Sequence, residues 1–304
     1  MEKRGVAIPL ESYHLARYAV QVPCYVCEQG NLFDADYCRH CQAPMALAHQ
    51  ANSQNVHPAM IAAVGPSGVG KTVYLGMLMD MLSRRSSGLQ GLARGAFSIT
   101  LQQEAVAKLA RCEFPRCTHY EPDRWNWVHC QVTIPARRRP AELIMPDMSG
   151  EAISDEIEHP DSLLGVRSLL NRACGALVLV DAAKLQEGGL EPDHFTIKLL
   201  SYLHELTSDR KKSWQNRPVA IVLTKADECD ECFDDPAGFA EKYAHCLWQQ
   251  CRQQLRRYKF FATGIAGACA HRILPGGLHV HIPLRIEPRG IIEPFEWIVT
   301  QARL

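Results

Sequence analysis

Short apolar runs alternate with amphipathic stretches along most of the chain, from about residue 58 onward. Runs with the length and β-branched content typical of buried strands lie at 58–64, 127–134, 142–145, 175–180, 219–223 and 258–262. Helical periodicity is found around them, at about 70–83, 101–112, 163–172, 194–210, 239–258 and 294–301. Strands separated by helices predict an α/β fold with a mostly parallel, doubly wound sheet.

The N-terminal part of the chain lacks this pattern and instead holds two cysteine pairs, Cys24-Tyr-Val-Cys27 and Cys38-Arg-His-Cys41. A polar stretch without periodicity follows, and it is typical of a linker. The sequence therefore predicts three parts: a small metal-binding module at 1–45, a linker at 46–56 and the α/β domain at 57–304.

The cysteine spacing is typical of a zinc ribbon. Each CxxC pair presents two thiolates from a tight turn, and two such pairs enclose a tetrahedral Zn²⁺. We expect Cys24, Cys27, Cys38 and Cys41 to hold a structural zinc ion, because protein ligands fill all four positions. The ion would supply folding free energy that so small a unit cannot obtain from its own core. Iron is the alternative metal for four thiolates.

Residues 65–72 have the sequence GPSGVGKT, a complete GxxxxGK[ST] motif between a predicted strand and a predicted helix. Its glycines let backbone N–H groups converge on phosphate oxygens, and the helix N-terminus adds partial positive charge. We expect Lys71 to contact the β- and γ-phosphates of a nucleotide and the Thr72 hydroxyl to bind Mg²⁺. The candidate phosphate-binding residues are Gly65, Ser67, Gly68, Val69, Gly70, Lys71 and Thr72.

A second strand end carries Asp147, in the sequence LIMPDMSGE at 143–151. An aspartate at the carboxyl end of a strand lies at the sheet edge where ligands bind, and it can hold Mg²⁺ through a water. Gly150 follows three residues later, where its N–H can contact a γ-phosphate.

A third strand end has the sequence Thr224-Lys225-Ala-Asp227. A carboxylate at this place can accept both the N1–H and the 2-amino group of guanine, a donor pair that adenine lacks, and Lys225 would lie along the base. In the guanine-nucleotide-binding proteins that this motif resembles, a loop after the last strand also contacts the base. The matching loop here is Thr263-Gly264-Ile265, in which only backbone N–H groups, such as those of Thr263 and Gly264, could serve.

The order GKT, DxxG and TKxD, each at the end of a predicted strand, resembles the TRAFAC-type GTPase superfamily over roughly residues 58–304. This resemblance implies a three-layer P-loop GTPase domain with a Ras-like sheet, GTP or GDP as ligand and Mg²⁺ as cofactor. Further segments make the chain similar to the bacterial double-GTPase family, which is often found in predicted conflict systems. They are FPRCT at 114–118, DMSGE at 147–151, FFATGIAG at 260–267 and PRGIIEPFEW at 288–297.

Such a GTPase also needs a switch I threonine whose hydroxyl reaches Mg²⁺ when the γ-phosphate is present. We expect this to be Thr118, because it lies in an irregular segment before a strand, whereas Thr133 lies inside that strand and Thr100 begins a helix. A loop threonine without such a role is the alternative.

The residue after Gly150 is Glu151, where many relatives of this fold have the glutamine that positions the attacking water. A carboxylate beside the γ-phosphate is unfavourable unless a cation offsets its charge. We therefore expect slow hydrolysis by the isolated chain, accelerated by an arginine from a partner or from self-association. The alternative is that Glu151 faces solvent and another residue positions the water.

Composition narrows the possible classes of protein. Lys and Arg balance Asp and Glu at 33 each, so there is no overall attraction to nucleic acid or anionic membrane. No apolar segment of signal-peptide type follows the charged start, and the longest apolar stretch, 173–180, is too short to span a bilayer. We expect a cytoplasmic protein whose cysteines outside the ribbon are mostly reduced and buried.

Three other groups of residues could carry chemistry, but we expect each of them to have a structural role. Residues 137–139 (RRR) are expected to form a solvated hairpin turn rather than an arginine finger or a nucleic-acid patch. The CxxC pair at 229–232 has no second pair nearby, and Cys112, Cys117 and His119 make no complete ligand set.

Together these features predict a GTP-binding protein that hydrolyses GTP to GDP slowly with Mg²⁺ and acts as a switch toward a protein partner, through its switch regions and its ribbon. The alternatives are a GTP-binding adaptor with negligible turnover and a generic P-loop NTPase. A nucleic-acid-associated P-loop protein is disfavoured by the neutral charge and by the lack of interleaved aromatic and basic residues.

Overall fold

A seven-stranded sheet lies at the centre of the computed structural model, which describes residues 21–54, 57–84, 88–135, 139–189, 191–206, 213–229, 231–273 and 279–304. The strands are β1 (Gln21–Pro23), β2 (Gly30–Leu32), β3 (Ala59–Val64), β4 (Gln90–Arg94), β5 (Asn126–Thr133), β6 (Ala141–Asp147), β7 (Gly175–Asp181), β8 (Val219–Thr224), β9 (Tyr258–Ala262), β10 (Gly264–Ile273) and β11 (His279–Arg289). The helices are α1 (Met45–Gln54), α2 (Lys71–Ser83), α3 (Gly95–Ala110), α4 (Gly150–Glu158), α5 (Leu164–Arg172), α6 (Ala182–Gln186), α7 (Glu191–Glu205), α8 (Pro236–Tyr243), α9 (His245–Gln254) and α10 (Ile292–Gln301).

The order of strands in the central sheet is β4-β5-β6-β3-β7-β8-β9. Neighbouring strands from β6 through β3, β7 and β8 to β9 pair in parallel, whereas β4 and β5 add an antiparallel edge. The carboxyl ends of the parallel strands therefore meet at one edge, where ligands of α/β sheets bind.

Two apolar cores lie on opposite faces of this sheet, because alternate residues along a strand point to opposite sides. Met60 and Ala62 of β3 belong to one core, and Ile61 and Ala63 belong to the other. The second core also contains buried apolar side chains from α2, α3 and α10, and the first contains buried apolar side chains from α4, α5, α7, α8 and α9. The predicted α/β class, with a mostly parallel sheet between helical layers, is thereby confirmed.

All six predicted strands are present, but the structure adds elements that the pattern did not indicate. β4 and α4 were not predicted, and the strand predicted as the last, at 258–262, is followed by the antiparallel hairpin β10–β11. The prediction of a single helix at 239–258 is wrong, because this segment forms two helices, α8 and α9, separated at Ala244. The break is stabilised because Asp193 Oδ1 of α7 accepts a hydrogen bond from the Leu247 N–H in the first turn of α9.

The stretch that we expected to be a linker contains α1. Its buried side chains are Met45, Leu47, Ala48 and Ala51, of which the two alanines gave too weak an apolar signal to reveal a helix. The Met45 N–H donates to the Asp36 carbonyl, so the helix also continues directly from the cysteine module. The boundaries of the three predicted parts stay a prediction, but this segment is not an irregular linker.

The cysteine module packs against α5 of the central domain. Gly165 of α5 is so close to the module that an added Cβ would lie 2.8 Å from the Cys41 carbonyl oxygen. Arg172, at the end of the same helix, forms an ion pair with Glu28 and lies over the Tyr25 ring at 5.3 Å. Buried residues of the module also belong to the same apolar core as the central domain. The two parts are therefore packed together rather than joined by a free linker.

None of the helices in the described ranges is both long enough and apolar enough to cross a membrane. Residues 137 and 138 of the predicted arginine turn lie outside the described residues, as does the end of the helix predicted at 194–210. The two strands that flank this turn, β5 and β6, pair antiparallel as predicted.

We expect Gly165→Val to destabilise the whole chain, because its side chain would collide with the Cys41 carbonyl. Overpacking of this kind costs about 1–3 kcal/mol of unfolding free energy. Denaturant unfolding of the full chain measures it. Ser168→Val, on the same helix but half-exposed, is the control and should change stability by less than about 0.5 kcal/mol. Equal stability of the two variants would contradict close packing of module and helix.

Candidate functional site

A cleft of about 280 Å³ opens where the loops after β3, β8 and β9 converge. It is lined by thirteen of the sequence-predicted residues, which are Ser67, Gly68, Val69, Gly70, Lys71, Thr72, Thr118, Gly150, Thr224, Lys225, Asp227, Thr263 and Gly264. The structure thus brings together in one cleft the motifs that follow different strands, which the sequence identified only as separate segments.

The loop before α2 curls as its glycines predict. Gly68 and Gly70 have φ of 75° and 95°, left-handed conformations that favour glycine. The Lys71 ammonium donates to the carbonyl oxygens of Gly65 and Pro66, at 2.9 Å each, inside the curl of the loop. Burial lowers the pKa of Lys71 to about 8, although the charge of Asp147 partly opposes this effect. A buried cation is therefore held where the motif places phosphate.

Three oxygens from separate segments meet beside this loop. The hydroxyls of Thr72 and Thr118 both donate to Asp147 Oδ2, at 2.9 and 3.0 Å. The two hydroxyl oxygens lie 3.0 Å from each other. The loop threonine chosen from the sequence is therefore in contact with the two other residues predicted to bind Mg²⁺.

This oxygen triangle fits a small divalent cation. Neighbouring ligands of an octahedral ion with bonds of roughly 2.0–2.1 Å lie about 2.9 Å apart, close to the edges of the triangle. Asp147 is fully buried, and its Oδ1 atom has no hydrogen-bond partner among the described residues. Burial raises the pKa of this carboxyl, against the lowering effects of Thr72, Lys71 and Thr118. A carboxylate with an unpaired buried oxygen is stabilised by a cation.

Gly150 begins α4 directly against the phosphate loop. An added Cβ would lie 2.2 Å from the Ser67 nitrogen, so the backbones can approach only because this residue is glycine. The neighbouring Glu151 is exposed, and it is not among the residues that line the cleft. Its expected part in positioning water stays a prediction, and this placement agrees with the alternative that it faces solvent.

The other end of the cleft is built around Asp227. The Ala266 N–H donates to Asp227 Oδ2 at 3.0 Å, and an added Cβ at Gly264 would lie 2.7 Å from Oδ1. Burial raises the pKa of this carboxyl. The backbone of β10 therefore fixes the orientation of the carboxylate, and the absence of a side chain at Gly264 leaves room for it.

One expected base contact is contradicted by the backbone hydrogen bonds. The Thr263 N–H donates to the Leu223 carbonyl at 2.8 Å, so it belongs to the sheet and does not point to a base. The Thr224 hydroxyl is likewise directed to the Val180 carbonyl, at 3.1 Å. Both threonines line the cleft, but these polar groups have structural partners.

Lys225 is held by an acidic residue that the sequence analysis missed. Its Nζ pairs with Asp181 Oδ2, and the Asp181 side chain also caps α6 by accepting from the Lys184 N–H. Asp181 is buried at the end of β7, and Lys225 adopts a left-handed φ of 56°. The signal for Asp181 was an aspartate at a strand end, the same one that identified Asp147.

Further cleft residues were not predicted as part of the site. They are Val73, Tyr74, Phe114, Pro115, Arg116, Cys117, Glu228, Ile265, Ala266 and Cys269. Ile265 and Ala266 lie in the family-like segment at 260–267, and Ile265 belongs to the loop expected to contact the base, but Cys269 was missed because the hairpin that carries it was not predicted. Those at 114–117 precede Thr118. The resemblance of FPRCT to a family segment had singled them out, and Cys117 had also been considered with Cys112 and His119 as an incomplete ligand set.

The four ribbon cysteines form a separate site. Their sulfur atoms lie within 4.8 Å of one another, with Cys24–Cys41 and Cys27–Cys38 pairs at 3.5 Å. A tetrahedral ion with Zn–S bonds of about 2.3 Å places its sulfurs about 3.8 Å apart, so this set fits one metal ion. The Val26 backbone N–H donates to the Cys24 sulfur, and the Asn31 side-chain amide donates to the Cys38 sulfur. In the described ranges no other group of His, Cys, Asp or Glu fits a metal.

Part of the chain matches a known protein family. Residues 62–194 match the family model described as Double-GTPase 1, a segment that contains the phosphate loop, Thr118 and Asp147 but ends before Asp227. No curated protein matches the chain.

Two solved structures resemble the chain distantly. The ADP-ribosylation-factor-like GTP-binding protein, small COPII coat GTPase SAR1, from Encephalitozoon cuniculi in complex with GDP is 13% identical, with 81% of this chain and 80% of that chain covered and a TM-score of 0.38. A dimerization-deficient mutant of Toc33 from Arabidopsis thaliana is 14% identical, with 85% and 89% covered and a TM-score of 0.41.

We expect nucleotide affinity to fall as the pH rises through about 8, because polyphosphate binding favours protonated Lys71 and its pKa in the nucleotide-free protein is about 8. Below that pH the ammonium is already formed and affinity is constant; above it, the loss approaches tenfold per pH unit. Titration of fluorescent GDP between about pH 7 and 9 measures this. In Lys71→Arg the guanidinium keeps its charge, so whatever affinity remains should show no such slope. A wild-type profile as flat as that of the variant would contradict the prediction.

Proposed function

We propose that this GTPase-family chain binds GTP and GDP with Mg²⁺ and hydrolyses GTP slowly, as a nucleotide-dependent switch toward a protein partner. The observation that carries the proposal is a single cleft with a triangle of three oxygens at one end, spaced as a cation would need, and an oriented carboxylate at the other. The triangle consists of Thr72, Thr118 and Asp147, and the carboxylate belongs to Asp227.

At the phosphate end, Thr72, Thr118 and Asp147 would hold Mg²⁺, which when bound neutralises charge on the β- and γ-phosphates. Lys71 would exchange its two carbonyl partners for phosphate oxygens, and the N–H groups of the curled loop would donate to them. Gly150 lies against the same loop, where its N–H would be available to a γ-phosphate.

At the base end, the Asp227 carboxylate would accept the N1–H and 2-amino group of guanine. Its Oδ2 atom already accepts one hydrogen bond from the Ala266 N–H, and a carboxylate oxygen has a second acceptor site. Adenine offers an acceptor at N1, so two lone pairs would face each other and the carboxylate would stay unpaired. The arrangement supports selection of guanine.

Switching would involve the segment around Thr118, because its hydroxyl connects an irregular loop to the cation site. Loss of the γ-phosphate on hydrolysis would remove one of the interactions that keep Thr118 at the cation site. The ribbon offers a surface for a partner protein, since Leu32, Phe33 and Tyr37 are large and exposed. A GTP-binding adaptor with negligible turnover is the second candidate, and the exposure of Glu151 outside the cleft favours it.

For the ribbon we propose one structural Zn²⁺ held by Cys24, Cys27, Cys38 and Cys41. Because its residues share a core with α5, the ion would stabilise the nucleotide domain as well as the ribbon.

Asp227→Asn tests the base site. The asparagine side chain has one oxygen, which can accept from the guanine N1–H, and an NH₂ group, which can only donate. It therefore cannot accept the hydrogen bond from the 2-amino group as well, as a carboxylate does. Loss of one of the two should weaken GDP binding by roughly 10- to 10²-fold, since a hydrogen bond to a charged group is worth about 1.5–3 kcal/mol. Affinity for xanthosine diphosphate should rise, because its 2-oxo group accepts from the amide. Equilibrium titration with fluorescent nucleotides and Mg²⁺ measures both.

The matched control is Asp234→Asn, an exposed aspartate outside the cleft, which should bind as wild type does. Wild-type protein that binds ATP as well as GTP would show a generic P-loop NTPase. Wild-type protein that binds no nucleotide would contradict the proposal entirely.

Metal analysis of the purified chain should give one zinc ion per molecule, and Cys41→Ser should lose it. The variant should also unfold at a lower temperature as a whole, because the ribbon and the sheet share one core. Cys246→Ser, at an exposed cysteine of α9, is the control and should retain the metal. Finding iron, or no metal, in the wild type would refute the assignment of zinc.

A further inference from the structure

The five residues at 114–118 run along the cleft and are held at both ends. Phe114 packs against the apolar core that contains α2 and α3, and the Thr118 hydroxyl donates to Asp147. All five line the cleft, including Arg116 at their centre. Two residues of chain span at most about 7 Å, so the Arg116 backbone lies within that distance of the Thr118 backbone.

Arg116 differs from Lys71 and Lys225, the other cations of the cleft, because it has no partner among the residues that the structure describes. Lys71 donates to two carbonyl oxygens, and Lys225 pairs with Asp181. Arg116 is exposed, and no hydrogen bond, ion pair or ring contact to it is found among the described residues. Its guanidinium therefore presents five donors to the cleft and to solvent, with none committed elsewhere.

A guanidinium in this position suits the charge that phosphoryl transfer creates. Its planar fork binds two phosphate oxygens at once, which an ammonium does not. The cleft also lacks the other expected catalytic group, because Glu151 is exposed and does not line it. Stabilisation of the transition state then depends on positive charge.

We propose that Arg116 is a catalytic residue for GTP hydrolysis. It would be a cation that the chain itself supplies to the γ-phosphate of the GTP it binds. This rests on the proposed function and replaces the expectation that a partner or a second copy must bring an arginine. It is compatible with slow turnover, since GTPases with such an arginine in cis hydrolyse GTP at only about 10⁻² s⁻¹.

In the step concerned, a water oxygen forms a bond to the γ-phosphorus while the bond from this phosphorus to the β–γ bridging oxygen breaks. The electron pair of the broken bond stays on the β-phosphate of GDP, and both water protons go to the released phosphate. GTP⁴⁻ and water thus give GDP³⁻ and H₂PO₄⁻. Arg116 donates hydrogen bonds to the bridging and γ-phosphate oxygens, where negative charge grows as the bond breaks.

Single-turnover hydrolysis of bound GTP by the full chain with Mg²⁺ tests this, in wild type and Arg116→Ala. The variant should be slower by about 10³-fold, the low end of what a phosphate-directed arginine contributes. Its affinity for GTP should change by less than about tenfold, because the interaction develops in the transition state. Millimolar guanidinium ion should restore part of the rate, and GDP with aluminium fluoride should bind to wild type but not to the variant.

Arg111→Ala is the matched control: this arginine is exposed at the end of α3, outside the cleft, and its loss should leave rate and affinity unchanged. Equal rates for wild type and Arg116→Ala would overturn the proposal. So would a loss of GTP affinity as large as the loss of rate, or a wild type that binds GTP and never hydrolyses it. Absence of GTP binding by the wild type is a different result, seen in the titration before any rate is measured, and it contradicts the proposed function itself.

Discussion

The Asp147 carboxylate is the group on which the arrangement of the cleft depends. It is fully buried at the end of β6, and one of its oxygens accepts hydrogen bonds from Thr72 and Thr118. The other oxygen has no partner among the described residues. A buried carboxylate in this condition is tolerated only if positive charge reaches it. Because its two hydroxyl partners come from the helix after the phosphate loop and from an irregular loop, this one group determines where both segments lie.

Glycines also shape the cleft, because they let neighbouring segments of backbone approach each other closely. Gly150 brings the start of α4 against the phosphate loop, and Gly264 leaves space beside the Asp227 carboxylate. Ordinary side chains at either place would push apart segments that have to meet around one ligand. The cleft is thus defined as much by the absence of side chains as by the polar groups that line it.

The sequence could predict those parts of the site whose residues form local motifs. The phosphate loop, Asp147 and Asp227 each follow a buried strand, so a local pattern was enough to locate them. Thr118 could be chosen by elimination, but its contact with Asp147 depends on how an irregular loop folds back. Arg116 was missed for the same reason, because its place in the cleft depends on that loop. Asp181 gave a local signal at the end of β7, but its pairing with Lys225 joins two distant strand ends. α1 and the hairpin β10–β11 were missed because alanines, glycines and bulges weaken the periodicity that identifies elements.

The shared core of the ribbon and the nucleotide domain has a consequence for how this protein can diverge. A metal module on a flexible tether can be lost, duplicated or exchanged without changes elsewhere in a chain. Here the turn at Cys41 rests on Gly165, and Arg172 pairs with Glu28. Substitutions on the two sides of this contact therefore have to be inherited together. In homologous chains, loss of the cysteines should be accompanied by a remodelled α5, so that the ribbon and this helix form one evolutionary unit.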